Sequence, residues 1–131
     1  MGNSESVQKV NFEDIQYIIK NKTNNMLINT LDKHNQSCLI KNTVTIDKEE
    51  TLINNNLKNI NMKIIIYGKN SNDERVFKKY EQLRLIGTNN LFVYTGGLFE
   101  WLCLQDIYGF DHFPTTSREL DILKYKPQKK F

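Results

Sequence analysis

Two cysteines, two histidines and a scatter of carboxylates are the groups in this chain able to attack, transfer or ligate. Cys38 and Cys103 stand in unrelated contexts, and neither belongs to a Cys-x-x-Cys pair, so a zinc site is not expected. Cys103 lies in the apolar run Trp101-Leu102-Cys103-Leu104, where a thiol serves as a small hydrophobe. Cys38 falls at a loop–strand junction and is expected to be partly exposed. His34 and His112 are isolated and read as surface residues, and Asp106 and Asp111 have no identifiable partner. Gly68-Lys69-Asn70-Ser71 lacks the preceding glycine that a phosphate-binding Walker loop requires. Neither a metal nor a cofactor is expected.

The first residues carry a different signal. Met1-Gly2-Asn3-Ser4-Glu5-Ser6 matches the N-myristoylation pattern, with glycine at position 2 and serine at position 6. One myristoyl chain holds a protein to a membrane only marginally, so a second signal is needed. No cysteine near Gly2 could be palmitoylated. The other end of the chain offers Lys124, Lys126, Lys129 and Lys130. Each adds about 1 kcal/mol of attraction at an anionic leaflet when it reaches the surface.

The elements that must position these groups alternate. Residues 1–10 read as a polar, flexible arm. Asn11 suits an N-cap, with Glu13 and Asp14 in the first turn of a helix to about Lys20. Met26 to Leu31 reads as a short strand, and Thr43-Val44-Thr45-Ile46 as a second extended stretch. Asp47 and Glu50 have capping-box spacing for a helix ending near Asn59. Lys63-Ile64-Ile65-Ile66-Tyr67 is a β-branched run suited to a strand buried on both faces of a parallel sheet. A helix over residues 73–86 follows, with Val76, Phe77, Tyr80, Leu83 and Leu85 expected inward and Gly87 at its end. Leu91–Tyr94 is a further strand, and Gly96-Gly97 turns into a helix from Leu98 to about Tyr108. This order predicts an α/β fold with a mostly parallel central sheet and helices on both faces.

The bulk numbers agree with one domain: 131 residues, 39% hydrophobic and 25% charged. The net charge of +3 is too mild to imply a nucleic-acid partner. No apolar segment has transmembrane length and no signal-peptide core is present, so a cytoplasmic protein with reduced thiols is expected.

From Lys63 to Trp101 the sequence resembles the rhodanese family. The pieces are the strand Ile64-Ile65-Ile66-Tyr67 and the loop Gly68-Lys69-Asn70-Ser71-Asn72-Asp73. Then come Leu83 with Gly87, the strand Leu91-Phe92-Val93-Tyr94, and Gly96-Gly97-Leu98-Phe99-Glu100-Trp101. The earlier half fits more weakly, through Leu27-Ile28-Asn29-Thr30-Leu31 and Cys38 to Ile46. The resemblance implies a three-layer rhodanese-like domain over 11–113, with 114–131 as an extension ending in a basic tail.

It also implies an active loop, and that loop is degenerate. The family carries a catalytic cysteine at the first loop position, where this chain has Gly68, so nothing there can attack thiosulfate or carry sulfur. The related cysteine phosphatases place an arginine where Glu74 stands. The final loop position, usually cationic or hydroxylic, is Asp73, which suits a helix start but disfavours an anionic ligand. The expected function is a non-catalytic rhodanese-like module, lipid-anchored and bound to a protein partner. Two alternatives stand beside it: a sulfurtransferase using displaced Cys38 or Cys103, and a structural component of a membrane-associated assembly.

Overall fold

The computed structural model describes residues 7–131. Gly2, the expected acylation site, lies outside the described residues.

The β-branched run becomes β3, Lys63–Tyr67, at the centre of a four-stranded sheet. β2 (Asn25–Asn29) and β4 (Leu91–Tyr94) flank it, and β1 (Lys9–Val10) lies beside β4 at the far edge. Every pairing is parallel: Ile66 of β3 sits opposite Ile28 on one side and Val93 on the other. A parallel sheet is stable only when both faces are covered, and the alternation of side chains along each strand divides the core accordingly. Ile64 and Ile66, with Met26, Ile28, Leu91 and Val93, pack against Ile53 of α2 (Ile46–Asn55) and against Val76 and Leu83 of α3 (Arg75–Leu85). Ile65 and Tyr67, with Leu27 and Tyr94, pack against Ile15 of α1 (Phe12–Lys20) and against Leu98, Trp101 and Leu102 of α4 (Gly97–Tyr108). The sheet therefore carries two helices on each face, as the alternation of elements predicts.

Several local expectations hold for identifiable reasons. Asn11 caps α1 in a reciprocal box: its Oδ1 accepts from the amides of Glu13 (2.9 Å) and Asp14 (3.2 Å), and Asp14 Oδ2 accepts from the Asn11 amide. Gly87 takes φ +102°, which a side chain would resist. Trp101 is fully buried, edge-on to Tyr94 and Phe113.

Others are corrected. Lys9 and Val10, read as part of an arm, pair with β4. Of the second extended stretch, Thr43 forms a single bridge to Leu27 and the Val44 amide donates to the Leu27 carbonyl at 2.8 Å; the chain then turns into α2, whose N-cap is Thr45. Asp47 is thus a first-turn residue and forms no capping box with Glu50. In α3, Val76, Tyr80 and Leu83 form the inward line, which leaves Phe77 and Leu85 facing outward. The carboxyl-terminal segment is not peripheral either. Phe113 and Tyr125 are buried in the core shared with α4, because an aromatic side chain is worth far more inside than a lysine-rich stretch can offset.

Candidate functional site

In an open parallel sheet, the loops leaving the carboxyl ends of adjacent strands form the natural site for chemistry. Here these are the loop after β3, residues 68–74, and the Gly96-Gly97 turn after β4. They are joined directly. The amides of Leu98 and Phe99 donate to the carbonyls of Gly68 and Lys69, both at 2.9 Å. Gly97 makes this approach possible: its φ is +68°, and a Cβ there would lie 2.8 Å from Gly68 O and 2.9 Å from Asn70 N.

Tyr67, the last residue of β3, sets the loop's base. It is fully buried, and its hydroxyl accepts from the Ile40 amide and bonds Thr43 Oγ1 at 2.7 Å. Burial pushes its phenol well above the ordinary tyrosine range, so it stays neutral. Asn70, also buried, donates from Nδ2 to the carbonyl of Tyr125 and accepts the Asn72 amide on Oδ1. The carboxyl-terminal segment is thereby tied onto the loop.

The centre of the loop holds the chain's own carboxylate. Asp73 turns back over Gly68, and its side chain is only 5% exposed. Oδ2 accepts from the Lys69 amide (3.0 Å), the Thr30 hydroxyl (3.2 Å) and Arg75 Nη2 (3.1 Å). Oδ1 accepts from the Arg75 amide (3.1 Å) and Arg75 Nε (2.9 Å). Burial alone would raise this carboxyl. The Arg75 guanidinium and the two amides outweigh burial and hold it below the usual aspartate range. Arg75 is raised in turn, chiefly by Asp73, and also reaches Asp32 at 2.6 Å across the loop after β2.

A side chain at position 68 would collide with this arrangement. A Cβ built on Gly68 lies 2.5 Å from Asp73 Oδ2 and 2.6 Å from Val76 Cγ2. The carboxylate occupies the space a residue-68 side chain would take. The loop holds no thiol, and the Lys69 and Arg75 amides, the Thr30 hydroxyl and the Arg75 guanidinium converge on an anion supplied by the loop itself.

Neither cysteine joins them. Cys38 is buried, not partly exposed, and its thiol points to the carbonyl of Ser117 at 3.5 Å. The carboxyl-terminal segment that covers it was invisible as a covering element in sequence. Cys103 is half-buried on α4. Burial raises both thiols, and Asp106 and Glu100 raise Cys103 further, the opposite of what a reactive thiolate needs. His34 and His112 are exposed. No group of three or more His, Cys, Asp or Glu side chains among the described residues is arranged to hold a metal ion.

Comparison with known proteins adds the fold. No protein-family model matches the chain, and no curated protein matches it in sequence. Solved structures do. A single-domain sulfurtransferase of Saccharomyces cerevisiae, RDL2, superimposes with a TM-score of 0.56 over 82% of this chain and 98% of its own, at 13% identity. The fold is rhodanese-like. The BH2092 protein of Bacillus halodurans (TM-score 0.60, 15% identity, 78% of this chain and 74% of its own) agrees. So does the Alr3790 protein of Anabaena (TM-score 0.57, 16% identity, 88% and 86%). At these identities the likeness establishes architecture and leaves activity to the site.

The Thr30–Asp73–Arg75–Asp32 network escaped the sequence reading. Positions 73 and 75 do not face each other on a helix, and Thr30 and Asp32 lie some forty residues upstream. The available signal was an acid and an arginine beside a glycine at the family's nucleophile position.

Proposed function

We propose that this rhodanese-like chain is a non-catalytic binding module, held at the cytoplasmic face of a membrane by myristoylated Gly2. One observation carries the non-catalytic part: the Asp73 carboxylate lies over Gly68 and takes the Lys69 amide and the Arg75 guanidinium. A persulfide requires a thiol at the head of the loop and free amides around it. Glycine supplies no thiol, and the Lys69 amide is already taken. The burial of Cys38 and the raised thiols of both cysteines argue against a displaced nucleophile.

The membrane part rests on the Gly2 pattern and the basic carboxyl-terminal residues. No helix among the described residues is long and apolar enough to cross a membrane, so attachment would fall to acyl chain and charge. The extent of the module, 11–113 followed by 114–131, belongs to the same proposal, with the addition that Tyr125 locks the second part onto the first.

Two assays test this reading. Purified protein incubated with thiosulfate and cyanide should form no thiocyanate above the protein-free rate. Protein-dependent thiocyanate that vanishes in Cys38→Ser or Cys103→Ser would establish the sulfurtransferase alternative. The mass of the first peptide from the native cell should include a myristoyl group on Gly2; a bare glycine there removes the anchor.

A further inference from the structure

The charge of this chain is not spread evenly. Five of its 18 basic residues and only two of its 15 acidic ones fall in the last fourteen positions, Arg118 to Phe131. The remainder is balanced, so the whole net charge of +3 sits in this one segment.

The segment also holds the two most exposed large apolar side chains among the described residues, with a third beside them. Leu120 is 92% exposed, Leu123 64% and Phe131 98%. Leu120 and Leu123 stand at an anchored turn, and Phe131 lies six residues beyond it. Tyr125, between them, is 1% exposed and packed in the core, and its carbonyl accepts the buried Asn70 amide at 2.9 Å. The short 3₁₀ turn Ile122–Tyr125 thus turns Tyr125 inward and leaves Leu123 facing out. The charges are partly organised too. Lys124 pairs with Glu119 at 2.8 Å, and the Arg118 guanidinium stacks 4.2 Å over the Phe110 ring. Lys126, Lys129 and Lys130 are exposed and form no ion pair among the described residues. Of the two acids in the segment, Glu119 is taken by Lys124, which leaves the other three lysines available.

We infer that Arg118 to Phe131 is a second, built-in membrane contact: Leu120, Leu123 and Phe131 enter the interface of an anionic bilayer, while Lys126, Lys129 and Lys130 lie along its headgroups. Charge complementarity selects this occupant. Apolar residues amid a surplus of cations are the composition that binds at a lipid interface, where buried area and headgroup attraction add. The inference supplies the second signal that a single acyl chain needs and so rests on the membrane reading above, yet it predicts binding without acylation.

Full-length protein made without an acyltransferase is mixed with vesicles of phosphatidylcholine alone, or of phosphatidylcholine with phosphatidylserine, and sedimented. Binding is expected to the mixed vesicles only. Leu120→Ser with Leu123→Ser should lower it by about tenfold, the scale of withdrawing two partly inserted leucines. Lys126→Gln, Lys129→Gln and Lys130→Gln together should erase the preference for phosphatidylserine. These side chains are exposed, and unchanged thermal melting of each variant shows that the fold is kept. Absence of binding by the unacylated wild type, equal binding to both vesicles, or full binding by the leucine variant overturns the inference. None of these outcomes alters the Gly2 mass, which tests the anchor separately.

Discussion

The loop after β3 and the last fourteen residues treat charge in opposite ways. In the loop, the Asp73 side chain is 5% exposed and pairs with an Arg75 side chain that is 40% exposed. In the carboxyl-terminal segment, lysines face outward around exposed leucines. The loop leaves the carboxyl end of a central parallel strand, where such sheets place ligands, and here the Lys69 amide, the Thr30 hydroxyl and Arg75 bond an internal carboxylate. The terminal segment has no counterpart chemistry, and it holds the surplus cations. A site closed by its own anion leaves the surface as the part free to meet a partner.

The largest effect expected from breaking this contrast is at Asp73. Asp73→Ala leaves the Arg75 guanidinium, the Lys69 amide and the Thr30 hydroxyl without their shared acceptor. It should cost about 2–3 kcal/mol of unfolding free energy in urea, since hydrogen bonds to a charged group are the costly ones to orphan. Asp32→Ala, which removes only the solvent-exposed end of the same chain, should cost no more than about 1 kcal/mol.

Gly68→Cys puts a thiol at the head of the loop, where the space is already taken. Its Cβ must displace Asp73 Oδ2 and Val76 Cγ2, and overpacking of this kind costs about 1–3 kcal/mol. The variant should be less stable and still form no thiocyanate. Substantial turnover would mean that Asp73 moves aside readily.

Smaller effects are expected at the two ends. Gly2→Ala should shift most of the protein into the soluble fraction of native cells, leaving the weaker contact of the carboxyl-terminal segment. Replacing Lys124, Lys126, Lys129 and Lys130 with Gln should weaken attachment less. Lys124 should contribute least of the four, because Glu119 already holds it. Neither variant should shift the melting temperature by more than the scatter typical of surface changes, about 0.5 kcal/mol in stability terms.

How much of this was legible in sequence depends on the range of each signal. β3, β4, the Asn11 cap and the Gly87 turn are set by residues a few positions apart, and periodicity or a φ preference reveals them. The glycine at the head of the loop, Gly68, was equally plain. What sequence did not reveal is what fills the space above that glycine. Asp73 reads locally as a helix-start acid, and it does accept the Arg75 amide. Its inward turn is decided by Lys69, Thr30 and the void at Gly68, groups brought together only by the sheet. Tyr125 failed for the same reason: nothing in a lysine-rich stretch marks one aromatic as a core residue until Asn70 and α4 are in place. Cys38 was misjudged because the segment that buries it lies some eighty residues downstream.

The central claim is that the loop's anion site is permanently filled by Asp73. A carboxyl whose folded value lies below its unfolded value adds stability above the unfolded value and loses it as pH falls through the folded one. For Asp73 that loss begins below the ordinary aspartate value of 3.8. The most direct measurement follows the Asp73 side-chain carboxyl carbon by NMR, first across acid pH and then during a thiosulfate titration at neutral pH. A midpoint below 3.8 is expected, with no change in the resonance as thiosulfate is added. A midpoint at or above 3.8, or a saturable shift with thiosulfate, would show the cradle to be open and the account wrong.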